Sequence, residues 1–408
     1  KQGVGGYPFT NEGAGGENYN TISYLVASPH KAGELWIGTD DGLVWLTQNE
    51  GEDWQNITPP DIGEALINAI EVSPHDPATA YVAVTKYKFD DFSPMILVTN
   101  DYGQSWKNRV DGIAAESFVR VVREDPEQPG LLYAGTETGL YISFDAGENW
   151  EAFQLNLPVT PILDMTIRDN DLVVATSGRA FWILDDLSAI QQNKGDFGES
   201  LALFQPKPTY RYNFSTPSSP PENEGANPAS GIIFDYYLPE KMDTTTLTLD
   251  VLNADGKVLR SYSNQKAESF KSWPGGPPAP QQLPAKKGVN RFNWDLRTET
   301  LPAVEGVFVL GDYRGGLVAP GTYTLRLNGP NDTLMVEAEL LPDPNLDASQ
   351  SDYLTQQNLM QGVEETVKEI HKSVNRMRKV KKQVQNLNGI LEEMEAVESL
   401  IDTGRMVV

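Results

Sequence analysis

Carboxylates stand in adjacent pairs along the first half of the chain: Asp40-Asp41, Asp90-Asp91, Glu124-Asp125 and Asp185-Asp186. Two such groups facing one another across a cleft at roughly 5 to 10 Å are the machinery of glycoside hydrolysis. Arg120, Arg123, Arg168 and Arg179 are the cations from which a cluster for an anionic substrate group would be drawn. Histidine offers less. His30 and His75 occupy the same turn of successive segments and His371 lies far from both, so neither a nucleophilic triad nor a zinc site is visible. The chain has no cysteine and no stretch with EF-hand ligand spacing, so no metal and no cofactor is expected. Several of the acids also recur at equivalent places: Asp40-Asp41 corresponds to Glu137. Repetition of that kind argues for turn chemistry, and no residue is assigned a catalytic role. One stretch breaks the repetition. Thr85 to Pro94, TKYKFDDFSP, inserts aromatic and charged residues into one segment, and irregular loops carry function more often than their scaffold. Tyr87, Phe89, Asp90 and Asp91, with Arg120 and Arg179, are therefore the candidate binding residues.

The elements that must position them are repeats. A phrase recurs three times: Thr47-x-Asn49-x-Gly51-x-Asp53-Trp54, Thr99-x-Asp101-x-Gly103-x-Ser105-Trp106 and Ser143-x-Asp145-x-Gly147-x-Asn149-Trp150. Ahead of each Trp comes a hydrophobic strand, a turn, a second strand and a Gly-Thr corner or its counterpart. A fourth unit, Ile162 to Leu184, keeps the strands and lacks the phrase. Units of roughly 40 to 50 residues with four short strands are propeller blades. Gly51, Gly103 and Gly147 fall where a tight hairpin demands positive φ. Asn49, Asp101 and Asp145 can cap the backbone N–H groups of the same turn. Trp54, Trp106 and Trp150 each supply an apolar wedge against a neighbouring blade.

This phrase resembles the Asp-box of the BNR-repeat propellers, found in sialidases, sortilin-type receptors and xyloglucan-cleaving glycosidases. In those families the box stabilises a turn away from the substrate. SPHDPATAYVAVTKYKFDDF, SFVRVVREDPEQPGLLYAGTETGLYISFDAGENW and LVVATSGRAFWILDD extend the resemblance to the large bacterial sortilin-like, BNR-repeat propeller proteins, often labelled glycosyl hydrolases. The resemblance implies an exported protein of a bacterium, in the periplasm, at the cell surface or outside the cell. Four blades barely close a ring, whereas six to ten are usual in the resembling families. Further blades are accordingly expected upstream or on another chain, with the Gly-rich start GVGGYPFTNEGAGGENYN as an inter-blade loop.

Past residue 192 the pattern changes. The reading is a mainly β chain: propeller blades over 1–192, a Pro-rich linker over 193–230, an immunoglobulin- or fibronectin-like β-sandwich over 231–345, and an α-helical hairpin over 346–408. The strands of the third part are GIIFDYYLP, TLTLDVLNADGKVLRSYS with an Asp-Gly turn, GVNRFNWDLRTE and APGTYTLRLNG. In the last part Leu359, Val363, Val367, Ile370, Val374 and Met377 step by three or four. Asn386-Leu387-Asn388-Gly389 then offers a break before Ile390, Leu391, Met394 and Val397. A basic patch from Arg376 to Lys382 is set to pair with an acidic run from Glu392 to Glu398. A formal charge of −25 over 408 residues argues against a nucleic-acid partner. No apolar run reaches the roughly 20 residues of a membrane-spanning helix. Two functions follow: a non-enzymatic binding or assembly protein for a protein or glycan partner, or a polysaccharide hydrolase whose site is shared with blades outside the chain.

Overall fold

The computed structural model describes residues 20–193, 195, 197–212, 227–242, 245–267, 270–309 and 313–405, with side chains through 399. The Gly-rich start up to residue 19 and residues 213–226 of the Pro-rich linker lie outside the described residues. The chain divides into two compact units, Lys1–Asp196 and Phe197–Val408.

The first unit is four antiparallel meanders in chain order, the architecture of propeller blades. Blade one is β1 (Ile22–Ala27), β2 (Leu35–Thr39), β3 (Val44–Thr47) and β4 (Gln55–Asn56). Blade two is β5 (Leu66–Val72), β6 (Ala80–Thr85), β7 (Ile96–Thr99) and β8 (Lys107–Asn108). Blade three is β9 (Val119–Glu124), β10 (Leu132–Thr136), β11 (Leu140–Ser143) and β12 (Glu151–Ala152). Blade four has three strands, β13 (Ile162–Arg168), β14 (Asp171–Thr176) and β15 (Phe181–Leu184), followed by a short helix α1 (Ser188–Asn193). The first strand of each blade lies against the first strand of the next.

Small residues on the second strands make that approach possible. Gly38, Ala83, Gly135 and Ala175 are equivalent by register. A β-carbon on Gly38 would come within 2.3 Å of Ile67 in the next blade, and one on Gly135 within 2.5 Å of Ile162. The Gly of the Gly-Thr corner thus admits the following blade's isoleucine into the core.

The repeated turn closes on itself identically three times. Thr47, Thr99 and Ser143 hydroxyls accept the N–H of Gly51, Gly103 and Gly147 at 3.0, 2.8 and 2.9 Å. The side-chain oxygens of Asn49, Asp101 and Asp145 accept the N–H of Asp53, Ser105 and Asn149 at 3.0, 2.9 and 2.9 Å. Each glycine has φ between 81° and 90°, and the residue before it is also left-handed: Glu50, Tyr102 and Ala146. Two consecutive positive φ values define the primed hairpin turn that suits strand twist. The Trp then reaches backwards. Trp106 Nε1 donates to Ile57 O at 2.9 Å and Trp150 Nε1 to Arg109 O at 3.2 Å, both on the preceding blade.

The second unit has two sheets. One has the order β16 (Ala202–Leu203), β18 (Ile232–Leu238), β21 (Gly288–Trp294); the other runs β17 (Thr209–Tyr210), β23 (Thr333–Leu341), β22 (Gly321–Asn328), β19 (Thr248–Leu252), β20 (Val258–Ser263). Buried residues of both, among them Phe234, Tyr236, Leu249, Leu325 and Trp294, form one core. β16 and β17 correct the expected linker: residues 202–203 and 209–210 pair with β18 and β23, so this stretch belongs to the sheets.

The expected helical hairpin is also corrected. Gln350–Arg405 is a single 56-residue helix, α2, about 84 Å long at 1.5 Å per residue. Asn386, Asn388 and Gly389 cost together about 2 kcal/mol of helix propensity relative to Ala, but none removes a backbone donor as Pro would. Lys, Gln, Leu, Glu and Met around them carry the helix through. Its start is capped reciprocally: Ser349 N donates to Asp352 Oδ2 at 2.9 Å, and Asp352 N to Ser349 Oγ at 3.3 Å.

Burial separates the three tryptophans: Trp150 is 3 % exposed and Trp54 37 %. Trp150→Ala is expected to cost about 3–5 kcal/mol and Trp54→Ala about 1 kcal/mol or less, read from urea unfolding of the two variants.

Candidate functional site

Strands alternate in direction, so each blade has two unlike ends. The repeated turn and the turn between first and second strands share one end, tied together by Glu50 N to Gly33 O, Tyr102 N to Ala78 O and Ala146 N to Gly130 O, at 2.8–3.0 Å. Most of the polar groups discussed above are consumed there. His30 Nε2 donates to Ser73 O at 2.9 Å and His75 Nε2 to Asp125 O at 2.7 Å, which fixes the Nε2-protonated tautomer in both rings. Asp125 in turn accepts the N–H of Glu127 and Gln128 at 2.9 Å and the amide of Gln191. Both histidines are blade-to-blade stitches.

The opposite end carries the connections between second and third strands and between blades. Here the insertion forms a 3-10 turn, Tyr87–Phe89, ended by Asp90 in the left-handed region. The Tyr87 ring stacks on Phe118 of blade three, centroids 5.2 Å apart and planes at 17°; Phe92 packs on the same ring at 6.2 Å. The Arg120 guanidinium lies 5.0 Å from the Phe118 ring centre and 5.8 Å from that of Tyr87. It is held by Glu137, which accepts from Nε and Nη2 at 2.7 Å each. Phe89 and Phe92 remain about half exposed beside this stack. Of the sequence-derived candidates, Tyr87 and Arg120 are therefore brought together, with Phe89 on the same loop. Asp90 and Asp91 serve the turn: Asp91 accepts the N–H of Ser93 at 3.0 Å, a bond that holds its carboxyl below the usual carboxylate range. Arg179 sits on the corresponding connection of blade four with its side chain exposed; its own backbone N–H donates to Thr176 Oγ1 at 3.2 Å.

Other paired acids are structural. Asp40 Oδ1 accepts the N–H of Asn20 and Thr21, each at 2.8 Å. Asp41 is buried on the Thr39 hydroxyl at 2.6 Å, Glu124 accepts from Gly130 N, and Asp186 caps α1 through Ser188 N.

A second constellation was missed in sequence. Tyr24, Glu71, Arg123 and Asp164 come from the first strands of the four blades. Arg123 Nη2 donates to Asp164 Oδ1 at 2.6 Å and to the Tyr24 hydroxyl at 3.1 Å; Nε donates to Met165 O at 2.8 Å, and Glu71 Oε2 lies 3.6 Å from Nη1. A cavity of 290 Å³ adjoins, lined in part by Glu71, Arg123, Glu124 and Thr166. Burial pushes the Glu71 carboxyl up to about 7, against the opposing pull of Arg123. Glu71 therefore exchanges a proton near neutrality, and Asp164 is a second carboxylate on the same guanidinium. The signal in sequence is a charge at one of the last strand positions of LINAIEV and VRVVRE, Glu71 and Arg123, and Asp164 inside ILDMTIR. Among the described residues no three His, Asp or Glu side chains gather as a metal site, and no helix is long and apolar enough to cross a membrane.

No family model matches the chain, and no curated protein sequence matches it. Solved structures do. YCF48 bound to a D1 peptide is 18 % identical with a TM-score of 0.33, covering 41 % of this chain and 52 % of that one. A GH74 xyloglucanase from Xanthomonas campestris is 15 % identical with a TM-score of 0.35, covering 66 % and 40 %. The computationally designed Ika4 protein is 12 % identical with a TM-score of 0.28, covering 41 % and 92 %. The chain thus spans about half or less of the length of the first two.

Because the folded Glu71 carboxyl binds its proton more tightly than in the free chain, at about 7 against 4.5, its contribution to stability is complete below pH 4.5 and is lost as pH rises through 7. Glu71→Gln removes this term. Between pH 5 and pH 8 the unmodified protein should lose about 1–3 kcal/mol more than this variant in urea unfolding.

Proposed function

We propose that the chain is a non-enzymatic binding or assembly protein, exported from a bacterium, whose first unit presents the aromatic end of its blades to a partner. The observation that carries this reading is the Tyr87–Phe118–Arg120 stack with Phe89 and Phe92 exposed beside it. Aromatic residues and arginine dominate the energetics of protein interfaces, because they bury large area with few rotors. Arg120 and Glu137 already satisfy one another, leaving apolar ring faces as the main offering. That favours a protein segment with apolar side chains over the hydroxyl-rich face of a glycan. The repeated turn is, on this reading, an Asp-box of the sortilin-like, BNR type, and the two-sheet core of the second unit is an immunoglobulin-like spacer.

Exposure within the blades supports further blades from upstream sequence or another chain. Ile67 and Ile70 of blade two and Val119 and Val122 of blade three are fully buried, whereas their counterparts Ile22 and Leu25 are 58 % and 60 % exposed. Phe181 and Ile183 of blade four are 76 % and 59 % exposed, whereas Val44 and Leu46 and the equivalent residues of the inner blades are buried. Both outer faces are thus built like the inner ones.

A second reading, a polysaccharide hydrolase completed by such blades, is favoured by one observation: Glu71 and Asp164 share Arg123, with Glu71 able to donate a proton near pH 7.

Probing the protein on peptide and glycan arrays separates the two. Selective capture of apolar peptides, weakened tenfold or more by Phe92→Ala and Arg120→Ala, is the expected result. Turnover of any polysaccharide that is abolished in Glu71→Gln would replace the first reading with the second.

A further inference from the structure

α2 leaves one stripe of apolar residues uncovered along almost its whole length. Val363, Ile370, Met377, Val384 and Leu391 follow one another at intervals of seven. Leu359, Val380, Leu387 and Met394 fall four residues before a member of that series or three after one, with Thr366 and Ser373 completing the pattern. These are the a and d positions of a heptad repeat, and the nine apolar members are 48 % to 69 % exposed. The body of the second unit holds other faces of the helix. Gln357 accepts the N–H of Ala319, Glu364 that of Gly316, His371 Nδ1 donates to Pro302 O, and Asn375 to Ala303 O. Those residues occupy b and f positions, so docking against the body leaves the seam free.

We propose that the seam pairs α2 with α2 of a second copy of this chain, as an antiparallel coiled coil crossing between Gln385 and Asn386. In that register the a residues of the central heptads meet d residues of the copy: Val384 meets Leu387, Leu391 meets Val380, and Met377 meets Met394. The same register sets the basic block at the axial level of the acidic one, in positions beside and outside the seam that bias orientation through their field. Arg376, Arg378 and Lys379 come level with Glu395, Glu393 and Glu392 of the copy. A parallel pair would instead set the basic blocks side by side, with Arg376 against Lys381 in the flanking contact. Apolar spacing thus defines the seam, and charge selects the antiparallel orientation. Pairing also explains how a helix interrupted by Asn386, Asn388 and Gly389 persists beyond the body: isolated helices with such residues are marginal in water.

The chain has no native cysteine, so cysteine cross-linking tests this directly in the full chain. Val380→Cys and Leu391→Cys are introduced singly and together, and the proteins are oxidised. The double variant is expected to give a covalent dimer of twice 45.0 kDa, and neither single variant to do so. Light scattering of the unmodified protein should give the same doubled mass, falling to the monomer in Val384→Glu with Leu387→Glu, both exposed sites whose change leaves the body folded. A covalent dimer from Val380→Cys alone would mean a parallel pair, and a link within one chain would mean a folded-back helix. Either result, a monomeric mass, or a dimer that does not link overturns the proposal.

Discussion

A blade of three or four short strands has two apolar faces and can cover neither by itself, so the first unit is organised by how each blade is fixed to the next. Small residues on the second strand, most tightly Gly38 and Gly135, set the spacing by admitting the following blade's core side chain. Polar stitches then fix the register. Ser23 Oγ donates to Ile67 O at 2.7 Å, and His30, His75 and Arg123 each donate to a backbone carbonyl one blade on. Backbone acceptors suit this purpose because their positions do not depend on which side chains a blade carries. Each bond gives a carbonyl of a buried residue a partner from the preceding blade while the apolar contact supplies most of the attraction.

The same arrangement divides the blade ends into one that is committed and one that is available. At the end with the repeated turn, hydroxyls, carboxylates and two left-handed residues per turn all serve the backbone, and the Trp ring closes the joint. Any ligand binding there would have to break bonds already made. At the other end the connections vary in length, and the one between the second and third strands of blade two is much longer than its counterparts, with a loop whose Tyr87 and Phe92 rings pack on Phe118. Arg120 is fixed over those rings by Glu137, so it is preorganised and loses little side-chain freedom on contact.

Repetition made the blades legible. Three copies of one phrase identify the turn, its glycine and its wedge, because the physics of a primed hairpin admits few alternatives at those positions. The second left-handed residue was less visible: Glu50, Tyr102 and Ala146 share no chemistry, and their φ is imposed by the turn around them. Tyr87 and Arg120 could be proposed from an irregular insertion, but their meeting depends on the blade-to-blade approach, which no local pattern encodes. Glu71 and Asp164 were missed for a related reason. A lone acid in a strand reads as a solvent-facing residue until the four inner strands converge on Arg123. In the second unit, β16 and β17 have only two residues each and derive their structure from the strands they join. Propensity alone makes Asn386 to Gly389 a break; a long helix with strong formers on both sides outweighs that preference.

Uncovered apolar surface in this protein is ordered rather than scattered. Exposed apolar residues on β1 and β15 have equivalents in the inner blades that are buried, and those on α2 keep a seven-residue spacing. Single exposed apolar side chains are ordinary on any surface. Sets that preserve the geometry of a packing surface are different, since keeping Ile22, Leu25, Phe181 and Ile183 in the register of their buried counterparts has no benefit for solvation. On β13, exposed Leu163 is followed by Asp164, which Arg123 holds, and then by buried Met165. On α2, the charged residues between the seam positions change sign from one half to the other. In both units the polar residues next to the open surface specify register, and register matters only to a surface that is to be met by another of complementary shape.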